Sequence, residues 1–170
     1  MKKSDLLKLA AERTLTQYGA LCHRPAARPE GGVEVLLITS RDTGRWVLPK
    51  GWPMAGRSGA ECALCEAFEE AGVSGRPADQ PLGYYSYRKT IGPDAGVTCV
   101  VTVYAVAVER LRRRFPERGQ RQRRWFPQAE AAALVAEPDL ADIIRGFVPP
   151  APPASPAPAK AGVDRQARRA

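Results

Sequence analysis

The sequence contains few of the residues that build zinc and redox centres. Its 170 residues include one histidine, His23, and four cysteines, at positions 22, 62, 65 and 99. Cys62 and Cys65 form a C-x-x-C motif, but no second such motif follows and the pair falls inside a predicted helix. His23 and Cys22 are neighbours on a predicted strand, so their side chains should point to opposite faces. We therefore predict reduced, partly buried thiols rather than a zinc site.

Long hydrophobic segments are also absent. The longest apolar run, Val97 to Val108, is shorter than the roughly 20 residues that a transmembrane helix requires. Near the amino terminus, Lys8, Glu12 and Arg13 interrupt every apolar stretch, so no targeting signal is predicted. These absences lead us to expect a soluble, cytoplasmic protein.

Acidic residues are outnumbered by basic ones, 18 to 26, which gives a formal net charge of +8. One segment holds many of the arginines with only Glu117 opposing them: Arg110, Arg112, Arg113, Arg114, Arg118, Arg121, Arg123 and Arg124. Such a cluster suits a phosphate-binding rim, but it is equally the pattern of a solvated, arginine-rich hairpin. A nucleic-acid-binding protein is a third interpretation, although no recognised nucleic-acid motif accompanies the charge and such a partner is not expected.

Composition divides the chain into a domain at residues 1–148 and a tail at 149–170. The tail is rich in proline and alanine and cannot build a packed core, so it is predicted to be disordered. We predict helices and strands in the domain as follows: strands at 17–24, 33–39, 45–48, 81–90, 97–108 and 121–126, and helices at 4–14, 58–71, 128–136 and 138–147. The strand at 97–108 is apolar on both faces, which predicts a central strand covered on both sides.

Three carboxylates lie close together at the end of the predicted helix 58–71. Glu66, Glu69 and Glu70 are spaced i, i+3, i+4, which places them within one turn's arc. Like charges at this spacing repel each other, and the helix dipole disfavours acids in the last turn. A divalent cation would offset both penalties, although a solvated acidic helix end has the same pattern.

The surrounding residues predict a strand, a glycine-containing loop and a helix. Trp46 to Pro49 is a short apolar strand, and residues 50–53 form a turn. Ser58 and Glu61 match the S-x-x-E capping box that marks a helix start, and Gly72 is suited to end the helix in the left-handed conformation. The face opposite the carboxylates is predicted to be apolar, formed by Ala60, Leu64, Ala67, Phe68 and Ala71.

This unit resembles the Nudix box, whose pattern is G-x5-E-x7-R-E-U-x-E-E-x-G-U, with U an aliphatic residue. With Gly51 as the first glycine, the pattern is matched by Glu66, Glu69, Glu70, Gly72 and Val73, and Ala67 takes the first aliphatic position. Two supporting positions depart from it, because Arg57 replaces the first glutamate and Cys65 replaces the arginine. The segments LLITSRDTGRWVLPKGWPM and QRRWF are similar to the diphosphoinositol polyphosphate phosphohydrolase branch, and the whole resemblance covers about residues 17–147.

The resemblance implies an α/β (α+β) fold, a Nudix-like α/β/α sandwich with a mixed β-sheet between helices. It also implies Mg²⁺-dependent hydrolysis, with Mn²⁺ as an alternative metal, of a diphosphate linkage. The implied substrate is a highly phosphorylated small molecule: a diphosphoinositol polyphosphate, a dinucleoside polyphosphate or a nucleotide derivative. Magnesium prefers carboxylate oxygens and can polarise a phosphoryl group.

Site residues follow from the same resemblance. Glu66, Glu70 and the backbone carbonyl of Lys50 are the implied metal ligands, and Glu69 is the implied general base. Gly51 lies beside them in the loop. An additional loop glutamate is expected to assist, with Glu109 and Glu117 as candidates. Substrate contacts are implied for Arg41, Arg88, Lys89, Lys50 and Gly51.

The departures at Arg57 and Cys65 leave two hypotheses open. Arg57 can supply a cation in place of the missing box arginine, in which case the protein is an enzyme. Alternatively, the protein is a catalytically silent Nudix-fold module that binds a ligand. The basic cluster that precedes the first strand in the diphosphoinositol branch is absent, because residues 14–17 read Thr-Leu-Thr-Gln. The sequence does not specify an oligomeric state.

Overall fold

The computed structural model describes residues 14–27, 32–92 and 95–150. Almost all of the predicted helix 4–14 and of the predicted tail therefore lie outside the described residues. The strands are β1 (Leu15–Pro25), β2 (Val33–Thr39), β3 (Trp46–Val47), β4 (Lys50–Gly51), β5 (Val73–Gly92), β6 (Ala95–Leu111) and β7 (Arg123–Pro127). The helices are α1 (Gly59–Ala71), α2 (Gln128–Leu134) and α3 (Pro138–Gly146).

The strands form one mixed sheet in the order β3-β2-β1-β6-β5, with β4 paired to β1 and β7 paired to β2. β1 and β6 run parallel, whereas β5 and β6 run antiparallel. The apolar segment at 97–108 lies in β6, between β1 and β5, as its composition predicted. The central position of β6 is therefore confirmed.

Helices cover both faces of the sheet. Leu21 and Leu37 face a core that includes Leu140 and Ile144 of α3. Their chain neighbours Ala20 and Leu36 face the other core, which includes Ala63 and Ala67 of α1. This alternation follows from the two-residue period of a strand. The predicted α/β/α sandwich with a mixed sheet is confirmed.

Helix α1 begins as its capping box predicted. The Glu61 N–H donates to Ser58 Oγ at 3.2 Å, and the Ser58 N–H donates to Glu61 Oε2 at 2.7 Å. Gly72 ends the helix in the left-handed region, with φ of 69°. The predicted apolar face is wrong at Phe68, which is 38% exposed, whereas Cys62 is fully buried. Small alanines form the surface that packs on the sheet, and Phe68 lies outside it.

Two strand predictions need correction. Residues 50–53 were predicted as a turn, but Lys50 and Gly51 pair with Gly19 and Tyr18 of β1. β5 was predicted at 81–90, but it begins at Val73 and continues past several register shifts. Prolines and glycines in its first half hide the alternation of a strand, and pairing with β6 maintains the extended backbone despite them.

His23 and the cysteines lie where the pattern predicted. Cys22 is buried in the core beneath α1, whereas His23 packs against the Phe147 ring on the other face, with centroids 4.7 Å apart. All four cysteines are free thiols. No helix in the described part of the chain has both the length and the apolarity needed to cross a membrane.

Candidate active site

A polar pocket of about 190 Å³ lies where β4, α1 and the segment before β7 meet. The pairing of β4 with β1 places the Lys50 backbone at this junction, and the α1 carboxylates approach it from the helix. The residues that define its chemistry are Lys50, Gly51, Glu66, Glu70, Glu117 and Arg121. The structure thus brings together the predicted metal-binding residues and one of the two candidate loop glutamates.

Glu66 lies directly against the backbone of Gly51. A Cβ at position 51 would overlap the Glu66 carboxylate, so this close approach requires glycine. Burial, followed by the nearby charges of Glu70, Glu69 and Glu117, raises the pKa of Glu66 to about 7. The carboxyl group is thus held where a cation would stabilise its ionised form.

Glu70 is the most buried carboxylate of the helix, with 8% of its surface exposed. Its Oε2 accepts a hydrogen bond from the Lys50 N–H at 3.0 Å, and its Oε1 accepts one from Arg121 Nη2. Burial raises the pKa of Glu70, while the charges of Arg121 and Lys50 oppose that rise. Both of its oxygens therefore have fixed partners.

Glu117 is the loop glutamate that reaches the pocket. Its Oε2 accepts from Arg121 Nε at 2.7 Å, and its Oε1 lies 3.4 Å from Arg41 Nη1. Glu109, the other candidate, is half-exposed and pairs with the exposed Arg76 at 2.8 Å. The structure thus favours Glu117 over Glu109.

Glu69 lies on a different side of α1 from Glu66 and Glu70. It lines a separate pocket of about 420 Å³ together with Arg57, Cys65 and Phe68. Within that pocket, Arg57 Nη1 donates to Cys65 Sγ, so the two unusual box positions contact each other. Among the ion pairs of the described residues, none involves Arg57. The role of Glu69 as general base stays a prediction.

A larger pocket of about 600 Å³ adjoins the carboxylates and shares Lys50, Tyr87 and Lys89 with the smaller one. Arg88 and Arg45 add two further cations to its lining. The predicted substrate contacts Arg41, Arg88 and Lys89 are therefore distributed over the two adjoining pockets. Lys50 is close to them, with Nζ 5.1 Å from the centroid of the Tyr87 ring.

Sequence reasoning missed three residues of these pockets. Arg45 is held by a 3.1 Å ion pair with the buried Glu137. Tyr87 lines both pockets and donates its hydroxyl to Gln17 at 2.7 Å. Arg121 was not distinguished from the rest of the arginine cluster. Its partner Glu117 is only 4 residues away, but the contacts that place Arg121 in the pocket, with Glu70 and Thr39, are 51 and 82 residues away and leave no local signal.

The rest of the arginine cluster lies elsewhere. Of its members, only Arg121 lines either of the two adjoining pockets that the described residues form. Arg123 instead donates to the Ala71 carbonyl at the end of α1 and packs over the Phe115 ring, 4.9 Å from its centroid. The predicted phosphate-binding rim is thus reduced to one arginine of this cluster, together with the cations from other segments.

Comparison with known proteins identifies the family. The model of the NUDIX domain matches residues 25–147. The chain belongs to the NUDIX family.

Two curated relatives from Arabidopsis thaliana are Nudix hydrolase 12, mitochondrial, and Nudix hydrolase 21, chloroplastic. The first is 34% identical over 105 residues, which cover 60% of this chain and 52% of that protein. The second is 31% identical over 134 residues, which cover 76% and 64%. The chain thus spans about half to two thirds of their length.

Solved structures of other proteins share the fold. A Caenorhabditis elegans Ap4A hydrolase in a binary complex superposes with a TM-score of 0.56 at 16% identity, covering 78% of this chain and 93% of that one. The NUDIX domain of Shewanella oneidensis NrtR, complexed with ADP ribose, gives the same TM-score at 16% identity, covering 85% and 97%. These similarities establish the sandwich architecture of the NUDIX chain.

The donor chemistry of this NUDIX pocket fits a hard divalent cation. Glu66 and Glu70 provide carboxylate oxygens, and Lys50 provides a backbone carbonyl, which are ligands that Mg²⁺ accepts. The Arg121 guanidinium between Glu70 and Glu117 shows that positive charge stabilises this cluster. Among the described residues, no three His, Cys, Asp or Glu side chains already converge on one point. The two carboxylates lie next to each other, and a bound metal ion would set their final coordination geometry.

Proposed function

We propose that this NUDIX protein is a Mg²⁺-dependent hydrolase that cleaves a diphosphate linkage in a highly phosphorylated small molecule, with Mn²⁺ able to replace Mg²⁺. The observation that carries the proposal is the burial of Glu66 and Glu70 beside the Lys50 backbone, in a pocket that adjoins a cation-lined one. Carboxylates that can bind a metal ion, next to a pocket lined by arginine and lysine side chains, suit a complex between a metal ion and a polyphosphate.

The residues of the pocket have separate tasks in this proposal. Glu66, Glu70 and the Lys50 carbonyl hold Mg²⁺, which when bound neutralises charge on the phosphate oxygens. Glu69 accepts the proton of the attacking water, and Glu117 assists from the loop. Because Glu69 is exposed on the flank of α1, its side chain is free to turn towards the Glu66 side when substrate binds.

Substrate binding is assigned to the cations around the pocket. Arg41, Arg88 and Lys89 contact phosphate groups beyond the scissile linkage, and Gly51 lets the substrate and the Glu66 carboxylate approach the backbone closely. Dinucleoside polyphosphates and nucleotide derivatives are candidate substrates, because one structural relative is an Ap4A hydrolase and another was complexed with ADP ribose. Diphosphoinositol polyphosphates are a further candidate, supported by Arg41, Arg88 and Lys89.

A substrate panel tests the proposal. The protein is incubated with Ap4A, ADP ribose, a diphosphoinositol polyphosphate and nucleoside triphosphates, with Mg²⁺ or with EDTA, and products are followed by ³¹P NMR. We expect cleavage of at least one compound at its diphosphate linkage, and only with the metal. Absence of cleavage across the panel, combined with calorimetric binding of one of its members, would instead establish a silent binding module.

The silent module is the second candidate because of a specific contact. Arg57 and Cys65 replace the glutamate and the arginine of the box, and they touch each other in the structure rather than the carboxylates. If the box pair is needed for turnover, its loss leaves a ligand-binding protein. The same panel separates the two candidates, since the module binds without forming products.

The location of the protein in the cell remains a prediction. Relatives named as mitochondrial and chloroplastic are similar to this chain, so similarity does not select the cytoplasm. Nucleic acid is not part of the proposed substrate range.

A further inference from the structure

Arg121 is a buried cation at the junction of three elements. It precedes β7, and only 9% of its side chain is exposed. Its Nη2 donates to Glu70 of α1, its Nε donates to Glu117 at 2.7 Å, and its Nη1 donates to the Thr39 carbonyl at the end of β2 at 3.2 Å. Each of its three nitrogens therefore has an acceptor from a different part of the chain.

We propose that Arg121 is a positioning residue that fixes Glu70 and Glu117 relative to each other for metal binding. The inference rests on the proposed function, because it concerns the same carboxylates. Arg121 touches neither the predicted base Glu69 nor the box position Cys65, which line another pocket. Its role is thus distinct from any compensation between Arg57 and Cys65.

The geometry requires a guanidinium. A planar fork can donate to two carboxylates in fixed directions, whereas an ammonium group is a point charge on a flexible stem. Each carboxylate gives one oxygen to Arg121 and keeps its second oxygen outside the fork. That second oxygen is itself placed, at 3.0 Å from the Lys50 nitrogen for Glu70 and at 3.4 Å from Arg41 Nη1 for Glu117. The guanidinium therefore orients both carboxylates, and each carboxylate oxygen keeps a further lone pair for a metal ion.

Burial explains why the two carboxylates need this fork. The side chain of Glu70 is 9% exposed and that of Glu117 is 21% exposed, and the Arg121 guanidinium lies between the two like charges. Two buried like charges separate or lose their charge unless a cation is held between them. Arg121 keeps the helix carboxylate and the loop carboxylate in one pocket before any metal binds.

The test is Mg²⁺ binding to the metal-free full-length chain, measured by calorimetry for Arg121→Lys. This substitution keeps the charge and removes the fork. We expect the Mg²⁺ dissociation constant to rise about 10–100-fold, as when a group that orients a metal ligand is lost. With the best panel substrate at saturating Mg²⁺, kcat should fall while KM for the substrate stays nearly constant. Arg124→Lys, an exposed position on β7 that lines neither pocket, is the matched control and should bind like the wild type.

The outcomes distinguish the positioning role of Arg121 from the proposed function. Unchanged Mg²⁺ affinity in a folded Arg121→Lys protein would overturn the positioning role and leave the proposed function intact. Failure of the wild-type chain to bind Mg²⁺ would overturn both. Should Arg121→Lys fail to fold, ¹⁵N-arginine NMR of the wild type decides instead. If its hydrogen bonds hold Arg121 in place, the Nε–H group of Arg121 should exchange with solvent at least about tenfold more slowly than the Nε–H groups of exposed arginines. An equal exchange rate would overturn the inference.

Discussion

At the scale of single residues, the site depends on a few unusual environments. Gly51 allows the Glu66 carboxylate to touch the backbone, and Glu70 is buried with both oxygens bonded. The Nudix-like spacing predicted that Glu66 and Glu70 lie together, because the helical repeat alone brings positions 66 and 70 to one side. Burial could not be predicted from spacing, since it depends on how closely the alanine face of α1 approaches the sheet.

Glu66→Gln should make the stability of the metal-free protein less dependent on pH. The pKa of Glu66 is raised from 4.5 to about 7 in the folded state, so the folded protein binds more protons than the unfolded chain between these values. Stability contributed by the protonated group is therefore present at low pH and is lost as pH rises through about 7. Thermal midpoints in EDTA at pH 5 and pH 8 measure the effect. Relative to the wild type, the thermal midpoint of the variant should be higher at pH 8 than at pH 5. An equal difference between the two proteins at both pH values would contradict the raised pKa of Glu66.

Glu69→Gln should reduce turnover by about 10²–10⁴-fold, the usual cost of losing a general base. The fold should be retained, because the change is nearly isosteric and Glu69 is exposed. Rates are measured with saturating Mg²⁺, beside circular dichroism as a control for folding. A wild-type rate would remove the base role from Glu69 and direct attention to the carboxylates inside the pocket.

At the scale of elements, α1 separates two environments. Glu66 and Glu70 line the polar pocket, while Arg57, Cys65 and Glu69 line the other pocket. The limits of α1 were predictable because caps are local signals, namely Ser58 and Gly72. The strand at Lys50–Gly51 and the early start of β5 were not, because backbone pairing with distant strands creates them.

Exchange of the two unusual box residues should show coupling. Arg57→Glu alone should impair the enzyme, and Cys65→Arg alone should help little because it adds a second cation beside Arg57. The double variant recreates the family pair and should recover or exceed the original rate. Because Arg57 contacts Cys65, a double-mutant cycle on turnover should give a coupling of about 0.5–3 kcal/mol. Additive effects would show that the contact has no part in catalysis.

At the scale of the whole molecule, the sheet gathers residues that are far apart in the chain. Arg41 follows β2, Lys89 lies on β5, and Glu117 and Arg121 lie between β6 and β7, yet all four line one pocket. The composition predicted that basic residues lie near the carboxylates, but it could not predict which basic residues these are. Most of the arginine cluster lies outside the pocket, whereas Arg45, which pairs with the buried Glu137, lines the larger pocket that adjoins it.

Removal of residues 151–170 should leave catalysis unchanged. Their composition of proline, alanine and terminal arginines cannot form a packed element, and the packed core ends at the buried Phe147. A chain that ends at Pro150 should keep kcat within about twofold of the full-length value on the best small substrate. A large loss would mean that the tail contributes to the site.

The most direct measurement compares diphosphate cleavage by the wild type and by Glu66→Gln/Glu70→Gln, with Mg²⁺ and with EDTA, on the best panel substrate. Glu109→Gln removes a carboxylate outside the pocket and is the matched control. We predict Mg²⁺-dependent cleavage by the wild type and the control, and a loss of about 10²-fold or more in the double variant, because several kcal/mol of charge stabilisation depend on the metal. Cleavage that persists in EDTA, or equal rates in the double variant and the wild type, would contradict the assignment of this pocket as the metal-dependent active site.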